Sequence, residues 1–165
     1  MVKFFNAFVV FFMSFSNAFS EQNKPFVIGE MTGQLGNQLF VVATACSLAW
    51  DNGAEAYFPT LVSPIDVYKH VFFRCKITDP NLPFNYTWEE PRYRYDLISY
   101  YPNMQIKGYF QSEKYFKHHR EEILQLFAPS SKDMAYFQKK YDWLMEHPNT
   151  VGVQLRYYVE PEYMR

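Results

Sequence analysis

The sequence predicts an α/β domain built on a Rossmann-like parallel sheet. Three observations point to it. A short apolar run, "PFVIGE" at residues 25–30, leads into a glycine turn, "MTGQLG", and then into a long apolar segment, "NQLFVVATACSLAW" at 37–50. A second short apolar run, "AEAYFP" at 54–59, follows the stop "DNG". Strand-like and helix-like patterns alternate again from residue 104 onward. Strand, turn, helix and strand in this order favour a parallel sheet with helical crossovers.

Each element has its own justification. The run at 25–30 reads as a short buried strand. The segment at 37–50 is apolar on nearly every face, which marks a buried helix, and Gly53 suits the left-handed position just past its end. Residues 60–103 are broken by Pro64, Pro80, Pro83, Pro91 and Pro102 and read as loops with short helices or strands. "MQIKGYF" at 104–110 predicts another strand. Ser112 is placed to cap a helix over 113–127, with Phe116, Ile123 and Phe127 on its inner face. Glu113 with Lys117, and Lys117 with Glu121, suit its wet face. Ser131 is placed to cap a further helix reaching about His147, with Met134, Phe137, Tyr141 and Leu144 as its apolar stripe. "VGVQLR" at 151–156 reads as one more buried strand.

Composition narrows the function classes. Hydrophobic residues make up 48% of the 165, enough for a packed core and too many for a disordered tail. The 16 basic and 17 acidic residues nearly balance and form no run, which argues against a nucleic-acid partner. The 17 Phe and 14 Tyr serve as core filler or, in part, as sugar-stacking or interface aromatics.

The first twenty residues stand apart. Lys3 precedes the apolar "FFNAFVVFFM", and the small and polar "SNAFS" places Ala18 and Ser20 before Glu21. This is the pattern of a secretory signal peptide. Stretched from Phe4 to Phe19 the run could serve as an uncleaved membrane anchor, although a spanning helix needs about 20 apolar residues. If it is no targeting signal, the chain is cytoplasmic. Cys46 and Cys75 could pair in an oxidising compartment, but Cys46 lies in the apolar helix and reads better as a buried free thiol. With no C-x-x-C, neither zinc nor redox chemistry is suggested. "NYT" makes Asn85 a glycosylation acceptor if the chain enters a eukaryotic secretory pathway.

The glycine turn is the motif with the most chemistry in it. Gly33, Gly36, Asn37 and Gln38 match neither the P-loop nor the dinucleotide fingerprint. Glycines let a ligand approach the backbone, and N–H groups at a helix start favour anionic or polar groups. Asn37 and Gln38 supply donors and acceptors. The alternative is structural: the glycines only permit the turn and Asn37 caps the helix. Arg156, the first charge at the end of its predicted strand, could clamp a diphosphate through its rigid fork of donors, or pair with Glu160 or Glu162. His118 and His119 are adjacent, which on a helix turns them about 100° apart, so no shared metal is expected. No carboxylate is singled out as a base.

Three segments together resemble the alpha-1,2-fucosyltransferase family: "GQLGNQLFVVATACSLAWDNGAEAYFP", "IKGYFQSEKYFKHHREEILQLF" and "VGVQLRYY". The resemblance implies the N-terminal part of a GT-B type glycosyltransferase. With it the chain reads as a signal peptide or short membrane anchor (1–20), an N-terminal α/β domain (25–150) and the start of a truncated donor-binding domain (151–165). It implies inverting transfer of L-fucose from GDP-fucose to the 2-hydroxyl of a galactose-terminated glycan, with no metal and no cofactor beyond the donor. Arg156 would bind the GDP diphosphate, and Gly33, Gly36, Asn37 and Gln38 would line the cleft. Two departures stand out. Gln154 occupies the place of the family's His, and Tyr157 that of its second Arg, with no Gly-Asp after it. These departures and the early end of the chain leave open a non-catalytic remnant that binds sugar, and the glycine-Asn motif, which resembles that of the protein O-fucosyltransferases, leaves open an enzyme of that kind.

Overall fold

The computed structural model describes residues 24–59, 68, 70–79, 81–91, 94–147 and 149–153. Residues 1–20, expected to act as a signal peptide or membrane anchor, and Arg156 lie outside them. The chain divides into two compact units, Met1–Ala128 and Pro129–Arg165.

The first unit carries a five-stranded, all-parallel sheet in the order β3-β2-β1-β5-β4. Strand β1 is Phe26–Gly29, β2 Glu55–Pro59, β3 Lys76–Thr78, β4 Tyr86–Glu89 and β5 Met104–Lys107. The predicted α/β class and the strands at 25–30, 54–59 and 104–110 are what the chain forms. Helix α1, Leu35–Asp51, connects β1 to β2. Registers of Val27 with Ala56 and Met104, and of Trp88 with Ile106, put Val27, Phe58, Met104, Ile106 and Trp88 on one sheet face. That face meets Val41, Val42, Ala45 and Ala49 of α1 in the core. Four of the sheet residues, Val27, Phe58, Met104 and Ile106, are at most 1% exposed. Burial of such side chains stabilises the fold by roughly 1.5–3 kcal/mol each. The other face carries Phe26, Ile28, Tyr57, Thr87 and Gln105, with Phe26 edge-on to Tyr57 and Thr87 bonded to Gln105.

The segment after β5 departs from the single helix expected over 113–127. It forms two 3-10 turns, Glu113–Tyr115 and Lys117–His119, before helix α2, Arg120–Phe127. Ser112 does cap, its hydroxyl accepting from the Lys114 N–H, but it caps one short turn. The break lies at Phe116 (φ −145°, ψ 3°), whose ring turns back onto Phe40 of α1. Tertiary packing of one aromatic overrides helical continuity here. Phe116, Ile123 and Phe127 do face the core. Among the described residues neither of the expected pairs of Lys117 with Glu113 and Glu121 forms; Glu121 pairs with Arg120 instead, as the 3-10 turns alter the spacing.

In the second unit, helix α3 spans Ser131–Met145. Its cap is Ser130 rather than Ser131: the Ser130 hydroxyl accepts from the Asp133 N–H. Non-helical backbone at Tyr141 (φ −126°, ψ 22°) kinks it, and Phe137 and Tyr141 of the expected stripe stack on one another. The strand expected at 151–156 is not seen in its described part, since residues 151–153 have no regular structure. Gln154 and the residues after it lie outside the described chain.

Candidate functional site

In an open parallel sheet, ligands gather at the carboxyl edge where the strand order reverses. Here the chain builds outward from β1 to β2 and β3, and then resumes on the other side of β1 with β5 and β4. The reversal falls between β1 and β5, and the glycine turn leaves β1 at that point.

The two glycines of the turn are used differently. Gly33 has φ +70°, and a Cβ there would lie 2.3 Å from the Asn37 amide nitrogen, so the turn itself requires glycine. Gly36 sits inside the first turn of α1, exposed, with nothing among the described residues within 4 Å of where a Cβ would be. Glycine inside a helix costs roughly 0.5–1 kcal/mol relative to alanine. No contact in the fold asks for it. An unobstructed backbone at this spot suits the approach of a ligand.

The helix start also has no side-chain cap. The N-cap is Gln34 without a side-chain cap bond, and no acidic residue lies in the first turn. The first N–H groups of a helix carry its partial positive charge and need acceptors. Asn37 is therefore not the cap that the structural alternative supposes. Its Oδ1 accepts from Gln111 Nε2 at 2.7 Å, across 74 residues of sequence. This bond joins the segment after β5 to the turn after β1, at the reversal of strand order. Gln38 is buried, and its Nε2 donates to the Gly33 carbonyl at 2.8 Å. Its Oε1 finds no donor among the described residues.

A third segment completes the edge. Glu90, just past β4, accepts through Oε2 from the N–H groups of Tyr109 (2.9 Å) and Phe110 (2.7 Å). Gly108 has φ +154°, and a Cβ there would strike Glu90 Cβ at 2.4 Å. Phe110 has φ +51°, a conformation costly for a side-chain-bearing residue. It is held there by complete burial, beside Trp88 and edge-on to Tyr115. Burial also pushes the Tyr115 hydroxyl up to about 12. Tyr109 is left exposed at the edge.

Of the residues expected from sequence, the structure thus brings Gly33, Gly36, Asn37 and Gln38 to one edge of the sheet. Arg156 lies outside the described residues. Asn85 is exposed just before β4, its amide donating to the Pro102 carbonyl at 3.4 Å. Cys46 and Cys75 are both free, and burial raises both thiols, Cys75 to about 12. They line a cavity of 260 Å³ with Trp50, Glu55 and Arg74. Gln111, Glu90 and the strained Phe110 were not marked by any motif. The only hint was "GYFQS" directly after a strand-like run.

No helix among the described residues is long and apolar enough to cross a membrane. No family model matches the chain. No solved structure matches it either. A curated relative, galactoside alpha-(1,2)-fucosyltransferase 2 of Oryctolagus cuniculus, is 34% identical over 104 residues. The match takes in 58% of this chain, which spans 28% of the relative's length. That likeness supports, at a distance, a relation between this α/β chain and the fucosyltransferases.

Proposed function

We propose that this chain forms the N-terminal, cleft-lining part of an enzyme that transfers L-fucose from GDP-fucose to the 2-hydroxyl of a galactose-terminated glycan. The observation that carries the reading is the bond between Asn37 and Gln111 beside the uncapped start of α1. It gathers side-chain amides, the N–H groups of the first helical turn and an unobstructed Gly36 where a parallel sheet receives its ligand. The likeness to the rabbit galactoside fucosyltransferase supports this choice of substrate class. In an inverting transfer the acceptor oxygen attacks the fucose anomeric carbon. The bond from that carbon to the β-phosphate oxygen breaks, GDP leaves with the electron pair, and the acceptor proton passes to a base. Asn37 and Gln111 would orient sugar hydroxyls, and Tyr109 would offer an aromatic face. Arg156 would offset the charge growing on the diphosphate. The apolar N-terminal segment suits a secretory or membrane-bound enzyme.

The test is fucose transfer from labelled GDP-fucose by the protein as its gene encodes it, against galactosides and folded protein domains as acceptors. Transfer to galactosides, reduced at least tenfold by Arg156→Ala and by Asn37→Ala, is the expected result. Wild-type turnover in Arg156→Ala removes the diphosphate role. Gln154 and Tyr157, which depart from the family pattern, favour a second reading as a sugar-binding module without transfer. Galactoside binding with no turnover would establish that one, and transfer to protein domains alone would establish an O-fucosyltransferase-like enzyme.

A further inference from the structure

At the opposite end of α1, some 24 Å along its axis from the glycine turn by the helical rise of about 1.5 Å per residue, the chain builds a second polar cluster. His118 Nε2 and His119 Nε2 each lie 2.9 Å from one oxygen of the Asp51 carboxylate. The divergence expected of adjacent histidines does not occur. They sit where the 3-10 turn meets α2, and the backbone at His119 (φ −107°, ψ 31°) leaves helical geometry. Their rings converge to 4.6 Å between centroids.

We infer that Asp51, His118 and His119 form a binding site for a zinc-class divalent cation that ties the end of α1 to the turn before α2. One donor atom from each of the three lies within 4.8 Å of the others. Tetrahedral zinc bonds of about 2.0–2.2 Å put ligand atoms about 3.3 Å apart, so modest side-chain rotation closes the set. Two imidazoles and one carboxylate are a recurrent zinc donor set, with water in the fourth position. The surroundings fit a cation in two further respects. His119 turns Nδ1 toward Glu122 Oε1 at 3.6 Å, the outer carboxylate that commonly orients a metal-binding histidine. Asp51 is also an acid at a helix C-terminus, with no basic residue in the last turn. Helix dipole and carboxylate are there of the same sign, an arrangement that a cation relieves. On binding, each imidazole turns the Nε2 lone pair to the metal and keeps its proton on Nδ1.

A nucleophilic triad is excluded by the same geometry. Ser47 Oγ is 3.2 Å from His118 Nε2, the nitrogen that also faces Asp51. A triad needs the hydroxyl and the carboxylate on opposite ring nitrogens.

Isothermal titration of the metal-free protein with zinc chloride tests the site, with cobalt(II) absorption reporting the donor set. One saturable site in the micromolar range is expected, with a tetrahedral cobalt spectrum of nitrogen and oxygen donors and a higher melting temperature on saturation. Asp51→Asn and His119→Gln should each weaken binding at least tenfold. The ligand side chains are partly exposed (Asp51 43%, His118 49%, His119 21%), so these variants should fold. Circular dichroism checks that they do, and the cobalt spectrum of the wild type decides the donor set without any variant. Three results overturn the site: no saturable binding, binding unchanged in both variants, or a thiolate cobalt spectrum lost in Cys75→Ser. None of these bears on the glycine-turn edge, which fucose transfer tests separately.

Discussion

At its N-terminal end, helix α1 carries no side-chain cap, no acidic first turn and an exposed glycine with open space, among the described residues, where a Cβ would stand. At its C-terminal end, Asn52 returns both its amide and its N–H to the last turn, and two histidines converge on Asp51. The first turn of the helix has no side-chain cap, whereas its last turn is bonded by side chains of the same chain. A helix buried along its length by Val41, Val42, Ala45 and Ala49 is rigid enough to keep two such different ends apart. The difference teaches where to seek chemistry and where to seek stability. Backbone strain collects at the carboxyl edge of the sheet, at Phe110, while side-chain bonding of the helix end collects at the other edge.

The comparison can be broken most forcefully at Phe110. Its ring is fully buried and holds the strained segment beneath Glu90. Phe110→Ala should cost about 3–5 kcal/mol in denaturant unfolding. A loss below about 1 kcal/mol would mean that the edge is not braced by this ring.

Next comes Gly33→Ala. It should cost about 2–3 kcal/mol, combining left-handed backbone with displacement of Asn37 from Gln111. Gly36→Ala, three residues on, should act in the opposite direction and stabilise by about 0.5–1 kcal/mol. Thermal unfolding of the two variants side by side checks the contrast. Equal destabilisation by both would erase the distinction between the turn glycine and the free one.

The smallest effect lies on the other edge. Hydrogen bonds from Lys76 and Tyr57 hold the Glu55 carboxyl below its ordinary 4.5. A carboxyl lowered in the folded state adds stability above its unfolded value and loses it as pH falls through the folded one. Lys76→Met should therefore remove up to about 1 kcal/mol at pH 7 and nothing near pH 2. Chemical unfolding at both pH values reads this directly. An equal loss at the two would assign the effect to packing of the lysine stem.

The parts of this architecture visible in sequence are those fixed by local rules. Strand β1, the glycine turn, α1 and β2 follow from apolar patterning and from glycines at the turn and helix end. Strands β3 and β4 were not legible, because three or four half-exposed residues among prolines carry no period. The helix over 113–127 was misread because the break at Phe116 is made by Phe40, distant in sequence. The same limit hid the heart of the candidate site. Asn37 and its neighbours could be named from type and spacing. Gln111 and Glu90 act through partners 74 and about 20 residues away, which no local pattern reports. The convergence of His118 and His119 on Asp51 depends on one non-helical residue and was likewise out of reach.

The account rests on the N-terminal end of α1 facing a ligand, and Gly36→Leu tests this most directly. Leucine is a strong helix former, and the structure has open space for its Cβ. Measured together, melting temperature and kcat/KM for fucose transfer should part company. The predicted result is a melting temperature equal to or above wild type with kcat/KM lowered at least tenfold. A variant that melts like wild type and transfers fucose at the wild-type rate would contradict the account.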